Sequence, residues 1–222
     1  RAFWIALEWA GTDYEAVKVD QHADAYRAIN PLGTVPALDV GGARAMTQAD
    51  AILQYIVQRH PEAGLGADAG IEAQFVFNET LAFLTGDMHP AFWPFFTPER
   101  YTTDASEAAL QAVRDAAPAR IARVLAHLDA LIGDTDHVYA GRRSVADAYA
   151  FVMARWSDKA GESWRKYPNL ARFMQAYRET IDWMYSDPAA LKRYAEFAGV
   201  SEGIAQRLRD EFYTKDMLAP DK

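Results

Sequence analysis

The chain has 222 residues, half of them hydrophobic, which is enough for one large domain or two small ones. Its formal net charge is −8 and it has no run of lysine or arginine, which argues against a nucleic-acid partner. It contains no cysteine, so disulfides and cysteine-based nucleophiles or metal sites are excluded within it. Its five histidines lack zinc-like spacing, so we expect no metal site.

The sequence also bears on location. It has no apolar run long enough to cross a membrane and no recognisable signal peptide, so we expect no membrane partner and a cytoplasmic location. The chain opens directly into an amphipathic pattern without a helix cap, so we expect further sequence before Arg1.

Two helices are predicted within the first 60 residues. Apolar residues recur at helical spacing over residues 3–10, and Gly11 follows as a natural stop. A second helical pattern covers residues 48–60, and Pro61 ends it.

Three strands are predicted between these helices. Residues 14–19 alternate between apolar and polar, and residues 35–40 and 44–46 indicate a hairpin closed by Gly41 and Gly42. Three such strands with one helix make a poor domain by themselves. A strand before Arg1 would complete a four-stranded sheet, so we expect the first strand to lie upstream.

After Gly70 the pattern becomes helical, over residues 71–88, 105–132, 144–159 and from residue 170 onward. Asp187-Pro188 and Ser201-Glu202 are further helix starts.

These patterns predict an α+β chain in four parts. A domain over residues 1–60 is followed by a linker over 61–70, an all-α domain over 71–175 and a helical C-terminal extension over 176–222.

The dipeptide Val35-Pro36 stands where a strand is predicted to begin. Taken alone, it is most often an ordinary trans bond, since only about 5–6% of such bonds in folded proteins are cis. A cis bond would leave the backbone N–H and C=O of Val35 free to pair with an extended peptide ligand. The local sequence leaves both interpretations open.

The segments NPLGTVPAL and MTQADAILQYI resemble the glutathione site of glutathione transferases, whose N-terminal domain is thioredoxin-like. The resemblance implies that Pro36 is cis, that the Val35 backbone binds the cysteinyl part of glutathione, and that Gln48 binds the γ-glutamyl group. A helix N-terminus suits that last role because its free N–H groups attract a carboxylate, although a simple cap explains Gln48 equally well. Ala49 replaces a serine that is frequent in the family, which predicts binding weaker by roughly 1.5–3 kcal/mol.

The segment TGDMHPAFWPFFTPERY resembles the bacterial beta class of that family. The resemblance implies that His89 lies beside the glutathione sulfur and steers its thiol or thiolate, whereas a single histidine in such a segment is more often structural. Phe92, Trp93 and Phe96 would form either core or the wall of the electrophile pocket. The same two alternatives apply to Trp156, while Ser144 and Asp147 form a helix-capping motif that we interpret as structural.

Two features depart from the family pattern. Aligned on it, the catalytic serine, tyrosine or cysteine falls upstream of Arg1. In addition, residues 176–222 resemble the C-terminal helical part of a nitrate/sulfonate-type ABC transporter substrate-binding protein, the alternative being an unusual extension of the transferase.

The resemblance implies a function for the whole chain. We expect a homodimeric transferase that conjugates glutathione, its substrate, to a small electrophile without a metal. The alternative is a non-catalytic binding protein with the same fold, or a fused or truncated chain without native transferase activity.

Overall fold

The computed structural model describes residues 2–198 and 201–212. They form two compact units that divide between Leu170 and Ala171. In the described part of the chain no helix is both long enough and apolar enough to cross a membrane.

The first unit opens with a small mixed region. In chain order its elements are α1 (Ala2–Ala10), α2 (Asp24–Ile29), β1 (Ala37–Leu38), β2 (Met46–Thr47) and α3 (Ala49–Arg59). The two strands are antiparallel, with Ala37 opposite Thr47 and Leu38 opposite Met46.

The regular structure that follows in the described chain is mainly helical. Its main elements are α4 (Ile71–Ala82), a π-helical turn (Phe83–Met88), α5 (His89–Ala91), α6 (Trp93–Phe96), α7 (Glu107–Asp115), α8 (Ala117–Ile132), α9 (Val145–Trp156), α10 (Pro168–Ser186), α11 (Pro188–Ala198) and α12 (Glu202–Arg207). The α+β class and the succession of a thioredoxin-like region and a helical region are therefore as predicted from the sequence.

The predicted end of α1 is confirmed. Gly11 has a φ of 65°, a left-handed conformation that glycine adopts without steric cost. The N–H of Gly11 bonds to the carbonyl of Glu8, and the N–H of Thr12 bonds to the carbonyl of Leu7. This is the Schellman pattern, which satisfies the last carbonyls of a helix.

The predicted strand over residues 14–19 is wrong. This segment has no regular secondary structure, and Tyr14 to Lys18 are exposed. A strand needs a neighbour for its backbone groups and a covered face for its side chains. Within the described residues the segment has neither, so its apolar alternation does not produce a strand.

The predicted hairpin forms, but it is shorter than expected. Its strands pair over only two residues each, and the second begins two residues later and ends one residue later than its pattern indicates. The N–H of Gly41 bonds to the Asp39 carboxylate at 2.9 Å, so a side chain satisfies the backbone where the ladder has ended.

The predicted helix over residues 105–132 is divided in two. The helix α7 ends at Asp115 and α8 begins at Ala117. Pro118 lies in the first turn of α8, where its missing N–H costs nothing, but it cannot continue a helix from before.

The helix α9 is the centre of the first unit. Nine of its twelve residues are buried, among them four alanines, and α1 packs directly against it and against α3. Small side chains let neighbouring helices approach closely. Helix α9 therefore connects the thioredoxin-like region with the helical region.

Arg142 fixes the segment that joins these two regions. Its guanidinium donates to the carbonyls of Gly64 and Gly66, both at 2.6 Å, and to the carboxylate of Asp68 at 2.9 Å. The first N–H of α9, that of Val145, bonds to the carbonyl of Leu65 at 3.1 Å. The segment predicted as a linker is thus bound to the start of α9.

The cap of α9 also has the structural role predicted for it. The fully buried Asp147 carboxylate accepts the N–H groups of Ser144 at 2.7 Å and Val138 at 2.8 Å. These bonds satisfy donors that would otherwise be buried without a partner.

The second unit is helical as predicted, as far as it is described. Asp187 caps α11 by accepting the N–H of Ala189 at 2.8 Å, and α12 begins immediately after Ser201. Both predicted helix starts are confirmed. Residues 213–222 of the predicted extension lie outside the described residues.

Candidate functional site

The loop before β1 presents a free stretch of backbone. The Val35–Pro36 bond is cis, as predicted, and Val35 is 52% exposed. The preceding carbonyl of Thr34 accepts the Tyr26 hydroxyl at 2.7 Å and the amide of the buried Asn30 at 2.6 Å. Two hydrogen bonds thus hold the loop in place while Val35 faces outward.

The N-terminus of α3 forms the second part of the site. Gln48, directly before it, is exposed and has a φ of 75°, which is uncommon for a residue with a side chain. Such strained backbone is found preferentially at functional positions. In the described part of the chain the N–H groups of Ala49 and Asp50 have no acceptor, so they are available to an anion.

A π-helical turn positions His89. The backbone N–H of His89 bonds to the carbonyl of Leu84, five residues earlier, instead of the four of an α-helix. One extra residue in a turn rotates every side chain that follows it, and π turns occur often at functional sites. Here the turn directs His89 toward α9, where its Nδ1 lies 2.7 Å from the hydroxyl of Tyr149.

Tyr149 and His89 form a neutral pair. Burial raises the pKa of the Tyr149 hydroxyl well above its usual value, and the negative charge of Asp50 raises it further. Burial lowers the pKa of His89 below 6.5. At neutral pH both groups are therefore uncharged, and the proton between them is shared by a hydrogen bond.

Tyr149 also links His89 to the thioredoxin-like region. Its ring meets that of Phe3 edge-on, with centroids 6.4 Å apart. Asp50, whose charge acts on Tyr149, lies in the first turn of α3, two residues after Gln48. The N-termini of α1 and α3 are thus both close to Tyr149, and through it to His89.

An aromatic cleft opens beside His89. It has a volume of about 320 Å³ and is lined by His89, Trp93, Phe96, Thr97, Arg100, Trp156 and Lys159. The ring of Trp156 lies 5.2 Å from that of His89 and 5.4 Å from that of Phe96, both edge-on. Edge-to-face packing of this kind fixes the ring orientations.

Of the aromatic residues predicted for the site, some line the cleft and one does not. Trp93 and Trp156 line it together with His89. Phe92 is fully buried and does not line it; its ring supports Trp156 from behind, at 5.9 Å between centroids. Of the two alternatives left open by the sequence, Phe92 therefore belongs to the core.

Four residues of the candidate site were missed by the sequence reasoning, namely Tyr149, Thr97, Arg100 and Lys159. For Tyr149 a signal was present, because it lies seven residues before Trp156 on one helix and hence on the same face. Arg100 and Lys159 lie in 3₁₀ turns, Pro98–Arg100 and Ser157–Lys159, where no periodic pattern indicates which way a side chain points.

The burial of His89 predicts a pH dependence of stability. Above about pH 6.5 His89 is neutral in both folded and unfolded chains and has no effect. As the pH falls below that value, the unfolded chain takes up the proton first, so the free energy of unfolding decreases. We expect urea denaturation of His89→Gln to show a shallower loss between pH 6.5 and 5 than the unsubstituted protein. Identical pH profiles for the two proteins would contradict the burial of a neutral His89.

Comparison with known proteins identifies the family of this chain. Residues 1–64 match the family model for the glutathione S-transferase N-terminal domain, and residues 111–176 match that for its C-terminal domain. The curated relative glutathione S-transferase GST-4.5 of Xanthomonas campestris pv. campestris is 32% identical over 174 residues, which cover 77% of this chain and 84% of the relative. The resemblance predicted from residues 1–175 is thereby confirmed.

Solved structures show the same similarity. The beta-class glutathione S-transferase of Sphingomonas chungbukensis is 33% identical with a TM-score of 0.68, over 86% of this chain and 92% of the other. A sphingomonad glutathione S-transferase complexed with glutathione is 30% identical with a TM-score of 0.67, over 89% and 93%. By its sequence, its fold and its solved relatives, this chain belongs to the glutathione S-transferase family.

Proposed function

We propose that this chain binds glutathione between the Val35 loop and the N-terminus of α3, and transfers its thiolate to an electrophile in the cleft beside His89. The observation that carries this proposal is the position of Tyr149. It hydrogen-bonds to His89 on one side and lies within electrostatic reach of Asp50, at the start of α3, on the other. A peptide bound at the start of α3 therefore has the His89 cleft next to it.

The binding part rests on backbone groups. The exposed Val35 backbone offers an extended peptide a donor and an acceptor, as in strand addition. The free N–H groups of Ala49 and Asp50, with the side chain of Gln48, suit the γ-glutamyl carboxylate. A relative with 30% identity is complexed with glutathione, which supports the same ligand here.

The chemical part rests on the neutral His89–Tyr149 pair. A thiol is a weak nucleophile at neutral pH, so transfer requires that the thiolate be stabilised. The Tyr149 hydroxyl stays protonated and donates a hydrogen bond to Nδ1 of His89, so the ring carries its own proton on Nε2. The Nε2–H then donates a hydrogen bond to the glutathione sulfur and favours the thiolate. The sulfur attacks the electrophilic carbon, and the thiol proton passes to solvent.

This arrangement favours transfer over the alternative of binding alone. A protein that only held glutathione would need the Val35 loop and α3, but not a histidine pair. Here the pair adjoins an open aromatic cleft of about 320 Å³, which can admit a second molecule next to the sulfur.

A homodimer is the state of assembly that we propose. The first two turns of α4 expose three large apolar side chains: Ile71 is 78% exposed, Phe75 64% and Val76 48%. Exposed apolar side chains that lie near one another are a frequent mark of protein interfaces. We infer that a second copy of this chain covers these three side chains.

Among the expectations from the sequence that stay predictions, three concern the chain as a whole. They are the cytoplasmic location, the domain boundaries at residues 60, 70 and 175, and the resemblance of residues 176–222 to an ABC transporter substrate-binding protein.

The glutathione site is tested by Gln48→Ala. The substitution removes the side chain offered to the γ-glutamyl group and keeps the Cβ, so the backbone conformation is under the same constraint. We expect the Kd for reduced glutathione, measured by calorimetry, to rise about 10-fold or more, because a hydrogen bond to a charged group is lost.

Gln58→Ala is the matched control, since Gln58 is an exposed glutamine at the other end of the same helix. It should bind glutathione like the unsubstituted protein. Equal affinity of all three proteins would remove Gln48 from the site, and no binding by any of them would overturn the glutathione assignment.

The proposed dimer is tested by Phe75→Glu. A buried carboxylate at an apolar interface is costly, so we expect the variant to elute as a monomer in size-exclusion chromatography with light scattering. Val17→Glu introduces the same charge at a position that is 68% exposed outside α4 and should leave the dimer intact. A dimer that persists in Phe75→Glu, or a monomeric unsubstituted protein, would refute this interface.

A further inference from the structure

We infer that the electrophile accepted by the His89 cleft is an aromatic compound that carries a carboxylate or a similar anionic group. This inference rests on the proposed transfer of glutathione, and it specifies the second substrate. It follows from two properties of the cleft, its aromatic walls and the charge at its rim.

The walls favour a flat, aromatic guest. The indoles of Trp93 and Trp156 and the ring of Phe96 line the cleft around His89. The imidazole of His89 lies 5.8 Å from Trp93 and 5.2 Å from Trp156, edge-on to both. Rings held in this way offer faces and edges on which another ring can pack. Phe96 is 42% exposed, so part of this apolar surface is uncovered.

The rim is positive. Arg100 and Lys159 line the same cleft, from the turn after α6 and the turn after α9 respectively. The guanidinium carbon of Arg100 lies 5.6 Å from the centre of the Trp93 ring, which is the distance of a cation–π contact. Trp93 therefore orients Arg100 along the wall, where a planar guanidinium can pair with a carboxylate.

Among the residues that the structure describes, no acidic side chain neutralises these two cations within the cleft. Some cations of the first unit are paired, such as Arg142 with Asp68 and Arg114 with Glu107. Within the described residues neither Arg100 nor Lys159 has an ion pair, and no aspartate or glutamate lines the cleft.

The overall charge makes this distribution informative. The chain has 31 acidic residues against 23 lysines and arginines, so an average patch of its surface is negative. The cleft is lined by two cations and, within the described residues, by no acidic side chain, so its charge is opposite to the average charge of the surface. His89 is neutral near pH 7, so the positive charge comes from Arg100 and Lys159. An anionic guest is attracted to this rim and a cationic one is repelled.

The corresponding reaction is an aromatic substitution. With 4-chloro-3-nitrobenzoate, the glutathione thiolate forms a carbon–sulfur bond at the ring carbon that bears chlorine, and chloride leaves with the bonding electrons. No oxidant or reductant is needed, and the thiol proton passes to solvent. The carboxylate takes no part in the bond changes, so its effect reports binding at the rim.

A rival occupant of the rim is glutathione itself, which has two carboxylates. If Arg100 and Lys159 served glutathione, their loss would affect every electrophile to the same extent. A comparison of two electrophiles that differ only in charge separates the two cases.

The test compares 4-chloro-3-nitrobenzoate with 4-chloro-3-nitrobenzamide, which has the same shape without the charge. For each, kcat/KM is divided by the rate constant of the uncatalysed reaction with glutathione, because the amide is the more reactive ring. The corrected ratio of carboxylate to carboxamide is the preference. We expect a preference of about 5- to 20-fold, because each of two exposed ion pairs multiplies it by a small factor. The preference should decline as salt is added.

Substitutions assign the preference to the rim. Lys159→Gln and Arg100→Gln should each lower it by about 2- to 5-fold. The carboxamide measured with the same variant is the internal reference, because a general effect on the cleft changes both electrophiles and cancels in the ratio. Arg59→Gln is the matched control, because Arg59 is an exposed cation at the end of α3 and does not line the cleft. It should keep the full preference.

A second readout does not depend on turnover. Calorimetry with the two S-aryl glutathione products should show tighter binding of the carboxylate by a similar factor. If both electrophiles react without preference, or if Lys159→Gln raises the KM for glutathione equally with both, the inference is wrong and the transferase function stands. If the products bind with the expected preference but neither electrophile reacts, the proposed transfer is wrong. The preference of the cleft for an anionic aromatic ligand is then still supported. If neither product binds, the inferred preference and the proposed transfer are both wrong.

Discussion

The hydrogen bond between Tyr149 and His89, 2.7 Å long, is the interaction on which the site depends. It joins α9, the buried central helix, to the π turn that carries His89. Both partners are uncharged because burial raises the pKa of one and lowers the pKa of the other. A charged partner would lose hydration without compensation in this environment. The bond therefore fixes both the orientation of the imidazole ring and the nitrogen that carries its proton. It forms only if the packing of α9 holds Tyr149 in place.

The rest of the first unit serves to bring two regions to that bond. Arg142 and Val145 attach the segment around Leu65 to the start of α9, and α1 packs between α9 and α3. These contacts place the N-terminus of α3, which can receive a carboxylate, near Tyr149. Catalysis by proximity requires such fixed placement of two binding regions, since a misplacement of about 1 Å is costly.

Much of this arrangement could be predicted from the sequence, for reasons that differ from one feature to the next. The helices α3 and α9 have apolar periods and clear stop or cap residues, Pro61 and Ser144, so local rules suffice. The predicted helix over residues 71–88 has no such stop, and the sequence did not show that it changes to a π turn at Phe83. The cis Val35–Pro36 bond and the candidate role of His89 were predicted by family resemblance, since the local sequence of Val35-Pro36 leaves its geometry open. Residues 14–19 were mispredicted because alternation describes side chains and not the presence of a neighbouring strand. Tyr149, Arg100 and Lys159 were missed because their role arises from contacts between elements far apart in sequence.

The central claim is that the Tyr149–His89 pair stabilises the thiolate of bound glutathione. It is tested most directly by the pKa of the bound thiol, followed by the ultraviolet absorbance of the thiolate in the complex. The account predicts a value below that of a free thiol, about 8.5, and an upward shift in both Tyr149→Phe and His89→Gln. Tyr139→Phe removes another buried hydroxyl, one bonded to the carbonyl of Ala73, and should leave the value unchanged. A bound thiol that titrates like free glutathione, or that is unaffected by the first two substitutions, would contradict the account.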